Sequence, residues 1–373
     1  MRPDRQAFII LVSLLVALGV VMIYSSSAIY AQEIYKDPLF FLKRHLIYLA
    51  IGLVGFGWIL SLKPGILRQW SKPMMLILLL SLVLVLIPGI GTKVSGARRW
   101  FRFGMVSFQP SEFAQVAVIL YMADVLTRKR GLLKDFFQGV LPALLVLGMT
   151  FGLILIEPDL GTSVATAVVA ILMLFLAEVD WKIIAPIFLA AIPVLVMLIA
   201  IKPYRMRRVM AYMNPWADPE GAGFQLIQSL VALGSGGWLG TGLGESRQKL
   251  FYLPAAHTDF IFSVMGEELG FIGLTIILIL FFLMFWYGIR LALSAPDSFG
   301  MLTATGIIML FALETLVHVA VTTGTIPTKG LPLPFISYGG SSLIANLMAV
   351  AVLLNVVRPV TPAVELPSES IAA

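Results

Sequence analysis

Apolar runs about as long as a bilayer is thick recur along this whole chain, and they leave it few ways to fold. A membrane-spanning helix needs about 20 apolar residues. Such runs fall near 8–28, 45–62, 73–90, 111–127, 136–156, 160–178, 182–201, 259–291, 300–324 and 338–357. In hydrocarbon every backbone N–H and C=O must be bonded within the protein, so the runs are helices. Composition agrees: of 373 residues, 59% are hydrophobic and 12% charged, which excludes a soluble domain. The expected fold is an all-α integral membrane protein of about ten transmembrane helices. A large extracytoplasmic loop, 202–258, lies between spans seven and eight. The fourth run is short and carries Glu112, Gln115 and Asp124. The eighth is longer than a bilayer requires, so it tilts or projects. Arg2 and Arg5 before an apolar run resemble a signal peptide, but the run is long and further spans follow, which makes it an uncleaved first helix. Residues 1–358 form one polytopic domain, and the Pro/Ser-rich segment 359–373 is a disordered cytoplasmic tail. Cysteine is absent, which excludes disulfides and thiolate chemistry.

The net charge is +6, and its placement is more telling than its sum. Short basic loops set orientation. Arg2 and Arg5, then Lys63, Arg68 and Lys72, then Arg128, Lys129, Arg130 and Lys134 fall on one side, which is therefore cytoplasmic, and both termini share it. The opposite side is basic as well, against the usual bias. Its short loop holds Lys93, Arg98, Arg99 and Arg102; its long loop holds Lys202, Arg205, Arg207, Arg208, Arg247 and Lys249; Lys329 adds another cation. Arginine suits two-pronged phosphate binding, although such charges can also merely solvate loops or neutralise lipid. Trp100 and Phe101, among the arginines, suit an interfacial belt, and an indole face can also stack on a sugar. Nucleic acid is not an expected partner.

The stretch from Lys249 to Gly270 turns from a polar, proline-containing loop into an apolar helix at Thr258 or Asp259. A carboxylate there sits in the first helical turn, where the dipole and free N–H groups favour its ionised form. Asp259, beside His257, is placed to act as a base on a substrate at the bilayer surface, or else Thr258 or Asp259 is simply an N-cap. Ser111 reads as the N-cap of the fourth span, with Glu112 in its first turn. Glu157-Pro-Asp-Leu-Gly-Thr162 is a tight turn whose two carboxylates suit a cation or, better, an arginine across the protein. Gly223–Ser229 is short and amphipathic, suited to lying on the membrane. The glycine run 234–244 lacks the Lys-Ser/Thr end of a P-loop. Glu267, Glu268 and Glu314 lie within spans, where a carboxylate must be paired or face a cavity. Pairing suits them better than a proton relay, even with His318 four residues after Glu314. The irregular segment 328–342 must be buried in protein or line a cavity.

His257-Thr-Asp-Phe-Ile-Phe262 with Gly266-Glu-Glu-Leu-Gly270, Gln109-Pro-Ser-Glu112, Glu157-Pro-Asp-Leu-Gly-Thr162 and Pro332-Leu-Pro-Phe-Ile-Ser-Tyr-Gly-Gly340 together resemble the SEDS (shape, elongation, division, sporulation) family, from the first span to the tenth. Thr328-Lys-Gly330 and Pro254-Ala-Ala-His257 look more like its division branch than its elongation branch. The resemblance implies a peptidoglycan glycosyltransferase that polymerises lipid II at the outer face of the bacterial plasma membrane, at the division septum. It also implies a class B penicillin-binding protein as partner, with other divisome membrane proteins. The family's essential aspartate falls on Asp259, and its Arg-Trp motif on Arg99 and Trp100. The expected substrate-binding set is Arg98, Arg99, Trp100, Arg102, Arg205, Arg207, Arg208, Lys249, His257 and Lys329, with Asp259 catalytic. No metal-ligand cluster shows in the sequence, though a divalent cation (Mg or Mn) on the lipid pyrophosphate is compatible with the chemistry. A lipid II flippase is the rival from another class, and it would need polar groups through both leaflets. A non-catalytic scaffold would leave the outer arginines unexplained.

Overall fold

The computed structural model describes residues 3–94, 96–104, 106–249 and 253–359. The tail expected to be disordered, 359–373, lies outside the described residues apart from Pro359. Twelve helices are described: α1 Pro3–Tyr35, α2 Phe40–Ser61, α3 Ile66–Leu86, α4 Pro110–Arg128, α5 Leu141–Ile156, α6 Leu160–Leu176, α7 Trp181–Ala200, α8 Pro203–Met213, α9 Phe224–Ser235, α10 Ile261–Leu293, α11 Ser298–Thr322 and α12 Gly340–Val356. A π-helical turn, Phe136–Val140, leads into α5. Seven helical stretches are long and apolar enough to cross a membrane: α1, α2, α3, α5 with its π turn, α7, α10 and α11. The polar α4 and the shorter α6 and α12, of 17 residues each, complete the expected set of about ten.

Burial follows polarity, as it must where lipid is as apolar as the side chains. Polar α4 is enclosed, with Ser111, Gln115 and Asp124 all buried. It packs against α3, α6, α11 and α12. The uniformly apolar α7 gains nothing from enclosure, and Ile184 is its single buried residue. At one end, Asp4 of α1 pairs with Arg290 of α10 at 3.4 Å, and the charge of Arg358, just past α12, acts on Arg5. The two ends of the described chain therefore share one end of the bundle.

The opposite end departs from the sequence reading in four places. The short basic loop is a three-stranded antiparallel meander: β1 Thr92–Val94, β2 Ala97–Phe103 and β3 Val106–Phe108. Helix α4 begins at Pro110, with Gln109 as N-cap, so Ser111 is inside the helix and its hydroxyl accepts from Gln109 Nε2 at 2.9 Å. Helix α9 does not simply lie on lipid. Leu226, Ile227, Ser229 and Ala232 are buried, and Ser229 Oγ meets Ser263 Oγ at 2.6 Å and the Thr322 carbonyl at 2.7 Å. Helix α10 begins at Ile261 with no side-chain cap, which leaves Thr258 and Asp259 in the turn before it.

Helix α10 owes its length to a break, not to tilt alone. Gly270 has φ +69° and interrupts the helix. A Cβ there would lie 2.3 Å from Gly240 N, so only glycine fits both the conformation and the space. The glycine run that matched no nucleotide motif repairs the break. Thr241 and Gly242 donate to the carbonyls of Glu267 and Glu268 at 2.9 and 3.1 Å, while Phe271 and Ile272 donate to Gly237 and Trp238 at 2.9 and 3.1 Å. Beside it, Glu267 accepts from Ser246 Oγ and from the N–H groups of Arg247 and Gln248. Glu268 takes Lys249 Nζ at 2.8 Å and Ser25 Oγ at 2.6 Å. Both ends of the Lys249–Glu268 pair are buried.

Removing one partner of a buried ion pair typically costs roughly 3–5 kcal/mol, because the other charge is left uncompensated. Lys249→Met should therefore lower the melting temperature of the detergent-purified protein markedly. The double variant Lys249→Met/Glu268→Leu should recover most of the loss. Orientation is checked in a chain that has no native cysteine. Ser235→Cys should label with an impermeant thiol reagent from the periplasmic side, and Lys72→Cys only after lysis. The reverse pattern would place the β meander in the cytoplasm.

Candidate active site

Asp259 is carried by a turn whose backbone is fixed before its side chain is. Ala255 adopts φ +58°, and its carbonyl accepts from Thr258, Asp259 and Phe260 at 3.0, 3.1 and 3.4 Å. The turn is bonded to the irregular segment before α12. Tyr338 N donates to the His257 carbonyl at 2.9 Å, and Ser337 Oγ donates to the Thr258 carbonyl at 2.7 Å. The Asp259 carboxylate rests on Gly330, where an added Cβ would lie 2.7 Å from Oδ2. Desolvation pushes the Asp259 carboxyl above its ordinary range; the Arg208 charge opposes this and the Asp159 charge adds to it. This outweighs the helix-dipole stabilisation anticipated for a first-turn residue. His257 packs against Phe41, Tyr338 and Tyr30, with ring centroids 4.6, 5.7 and 5.8 Å away. Burial lowers its pKa to about 4 and keeps the ring neutral.

Cations gather on the Gly330 side. Strand alternation places Arg99 on one face of β2, and Arg98, Trp100 and Arg102 on the other. Arg99 reaches the turn between α5 and α6. Its Nε and Nη2 donate to the carbonyls of Glu157 and Pro158 at 2.6 and 2.8 Å, and its Nη1 lies 3.7 Å from Asp159 Oδ2. Asp159 also caps α6, accepting from Thr162 N and Oγ1 at 3.1 Å each. Lys329 comes to the same corner: a Cβ on Gly161 would meet Lys329 Cε at 3.2 Å and Asp159 Oδ1 at 3.3 Å. Burial pulls the Lys329 ammonium down to about 8, with Asp159 opposing and Arg205 adding to the shift.

Helix α8 brings Arg205 and Arg208, three apart on one face. Arg205 is buried, with Nη1 on the Leu198 carbonyl at 2.7 Å and Nε on Tyr204 Oη at 2.9 Å. Arg208 Nη1 is 3.4 Å from the Thr328 carbonyl.

The expected set thus divides. Asp259, Arg99, Lys329, Arg205 and Arg208 converge, and His257 backs the turn with a neutral ring. Arg98 and Trp100 are half-buried, while Arg102 and Arg207 are exposed. Lys249 is committed to Glu268. Asp159, read from the sequence only as a turn carboxylate with an arginine partner, is the hub shared by Arg99, Lys329 and Asp259. The other carboxyl of that turn, Glu157, is fully buried and neither oxygen has a hydrogen-bond partner among the described residues. Burial and the charge of Asp159 push it up to about 9, so it is a neutral acid near pH 7. Deeper in the bundle Glu112 meets Ser342 and Glu314 meets Gln115, while Glu314 Oε2 is buried without a partner among the described residues. Among the described residues no three His, Asp or Glu side chains converge as a metal site. The arrangement offers one carboxylate of raised pKa facing a group of cations at one end of the bundle. This suits proton removal next to a departing or bound polyanion.

Known proteins share this architecture. A "Probable peptidoglycan glycosyltransferase FtsW" of Geobacter sp. (strain M18) is 48% identical over 92% of this chain and 94% of its own. The "Stage V sporulation protein E" of Bacillus subtilis (strain 168) is 46% identical over 95% of this chain and 97% of its own. A chain from the structure described as "Structural coordination of polymerization and crosslinking by a peptidoglycan synthase complex" superposes with a TM-score of 0.75 at 31% identity, covering 93% of this chain and 96% of that one. The rod shape determining protein RodA of Thermus thermophilus gives 0.69 at 29%, covering 94% and 95%. Residues 5–361 match the family model described as "Cell cycle protein", and the chain belongs to that family, the one comprising FtsW, RodA and SpoVE.

Proposed function

We propose that this chain polymerises lipid II into glycan strands at the outer face of the plasma membrane, with Asp259 as the general base. The relatives named as probable peptidoglycan glycosyltransferases FtsW support this activity, and with it a place in septal synthesis during cell division. The observation that carries the mechanism is Asp259 on Gly330, opposite Arg99, Lys329, Arg205 and Arg208.

The chemistry follows from those groups. The donor's pyrophosphate lies among the cations, where arginine forks match phosphate oxygens. A sugar hydroxyl of the acceptor faces Asp259. Its oxygen bonds to the donor's anomeric carbon while its proton passes to the carboxylate. The bond from that carbon to the pyrophosphate breaks, and the electron pair leaves with the polyprenyl pyrophosphate. Fixed cations stabilise the charge that develops there. Attack opposite the leaving group inverts the centre, so no sugar–enzyme bond forms. A divalent ion, if one accompanies the pyrophosphate, travels with the substrate. The cations gather with Asp259 at one end of the bundle instead of lining a path through both leaflets, which favours the enzyme over a flippase. A polymer of this kind needs crosslinking, and a class B penicillin-binding protein is the partner that supplies it. The multi-pass chain then works at the septum with both termini in the cytoplasm.

Asp259→Asn keeps the size of the side chain and removes the base. Polymerisation of lipid II by the purified protein with its partner should fall by roughly 10²–10⁴, with melting temperature and partner binding unchanged. A stable Asn variant of full activity would remove Asp259 from the mechanism. The pH profile gives a second check. A base works deprotonated, so activity falls as pH drops through its pKa, and that acid limb should lie above the ordinary carboxylate range. Arg208→Gln removes a charge that lowers the pKa and should move the limb up. Asp159→Asn removes one that raises it and should move the limb down. Shifts of the opposite sign in either variant would contradict the electrostatics described here.

A further inference from the structure

The turn that carries Asp259 has a second flank, where Tyr338 N donates to the His257 carbonyl. There the outer end of α2 meets Tyr338. Arg44 hydrogen-bonds to Tyr338 and lies over the Phe40 ring at 5.1 Å. Its Nε is buried without a partner among the described residues. The acid at that end, Asp37, is taken by Lys43 at 2.7 Å. The next residue, His45, is fully buried, and neither ring nitrogen has a partner among the described residues. Its ring is 6.4 Å from that of Tyr338. Tyr338 stands edge-on to Phe41 at 5.1 Å and to His257 at 5.7 Å. One guanidinium with a spare donor, two unsatisfied imidazole nitrogens and a wall of aromatic rings therefore border the turn that carries Asp259. Aromatic faces stack on sugar rings, and a guanidinium takes phosphate oxygens.

Glycan polymerisation joins two lipid-linked saccharides, so two pyrophosphates must be held at once. They need different treatment. The donor's departs and is served by a cluster of cations that stabilises growing charge. The acceptor's stays bonded, and its site needs grip without promoting departure. The flank with four cations fits the first role, and the flank with one guanidinium fits the second. We propose that Arg44, His45 and Tyr338, with the His257 and Phe41 rings, form the acceptor subsite, which takes the pyrophosphate and adjoining sugar of the lipid-linked saccharide whose hydroxyl attacks. This rests on the polymerase reading. In the reaction step the acceptor's oxygen gains the bond to the donor's anomeric carbon and its proton goes to Asp259. The bonding pair leaves with the donor's pyrophosphate, and the acceptor's pyrophosphate is unchanged.

The test is native mass spectrometry of the Asp259→Asn protein with purified lipid II, which it should hold without turnover. Two molecules should bind. Arg44→Gln in that background should weaken one of the two binding events about tenfold or more, the worth of a charge-assisted hydrogen bond. Tyr338→Phe keeps the ring packing and should act in the same direction, so it decides the matter if Arg44→Gln fails to fold. Lys43→Gln should leave both events intact. A parallel titration with phosphatidylglycerol separates a saccharide-lipid site from a headgroup site. The proposal is overturned if only one lipid II binds, if Arg44→Gln and Tyr338→Phe both retain two at full affinity, or if phosphatidylglycerol fills the Arg44-dependent position as tightly as lipid II. Wild-type protein that holds two lipid II molecules in an Arg44-dependent way and makes no glycan would instead sink the polymerase reading and leave the subsite standing.

Discussion

Residues 325–339 have neither a helix nor a sheet to satisfy their backbone, yet Leu331, Leu333, Phe335 and Ile336 are buried. Irregular backbone is tolerated inside a membrane protein only where other protein groups bond it. Here those bonds also build the site. Ser337 accepts from Leu333 N and donates to the Thr258 carbonyl, Tyr338 N holds the His257 carbonyl, and His318 Nδ1 meets the Leu331 carbonyl at 2.8 Å. The backbone demand of one segment is thus met by the turn that carries Asp259. Gly330 lets the carboxylate lie against the chain, so its position follows from backbone bonding and does not depend on a flexible side chain finding a partner.

The electrostatics of this end are unbalanced by design of the fold. Asp159 is the main acid among Arg99, Lys329, Arg205 and Arg208, and it is already committed as a helix cap. Glu157, its neighbour, is held neutral near pH 7 by burial and cancels none of the positive charge. Lys329 is pulled toward losing its proton, chiefly by burial, with Arg205 adding to the shift and Asp159 opposing it. An anion bound here would oppose that shift. The charges of this end act on Asp259 in two senses, with Arg208 lowering its pKa and Asp159 raising it, while desolvation sets the net direction.

The spans were legible because hydrocarbon leaves an apolar run only one choice, and the polar α4 had to be enclosed for the same reason. Asp259 was legible as a residue at the boundary of loop and span. That it does not cap α10 was not, because the turn depends on Ala255 in a left-handed conformation that nothing in Pro254-Ala-Ala-His257 announces. The break at Gly270 lies between Leu269 and Phe271 with no proline to mark it, so its signal was the distant glycine run that repairs it. Lys249 read as one more outer cation because its partner, Glu268, is brought to it by the fold. The three arginines of the short loop read as one group because a loop has no period. Once that stretch is a strand, alternation divides them.

Polar groups are divided between the two ends of the bundle. Glu267 and Glu268 are bonded to the 246–249 segment and Ser25, and Glu314 to Gln115. At the far end Asp124 is held by Arg128, Arg68 and Ser71. Glu314 Oε2 and both Glu157 oxygens are buried without a partner among the described residues, and His257 is kept neutral by burial. In the proposed reaction the loss of a pyrophosphate drives the chemistry, which needs no coupling to a gradient across the membrane.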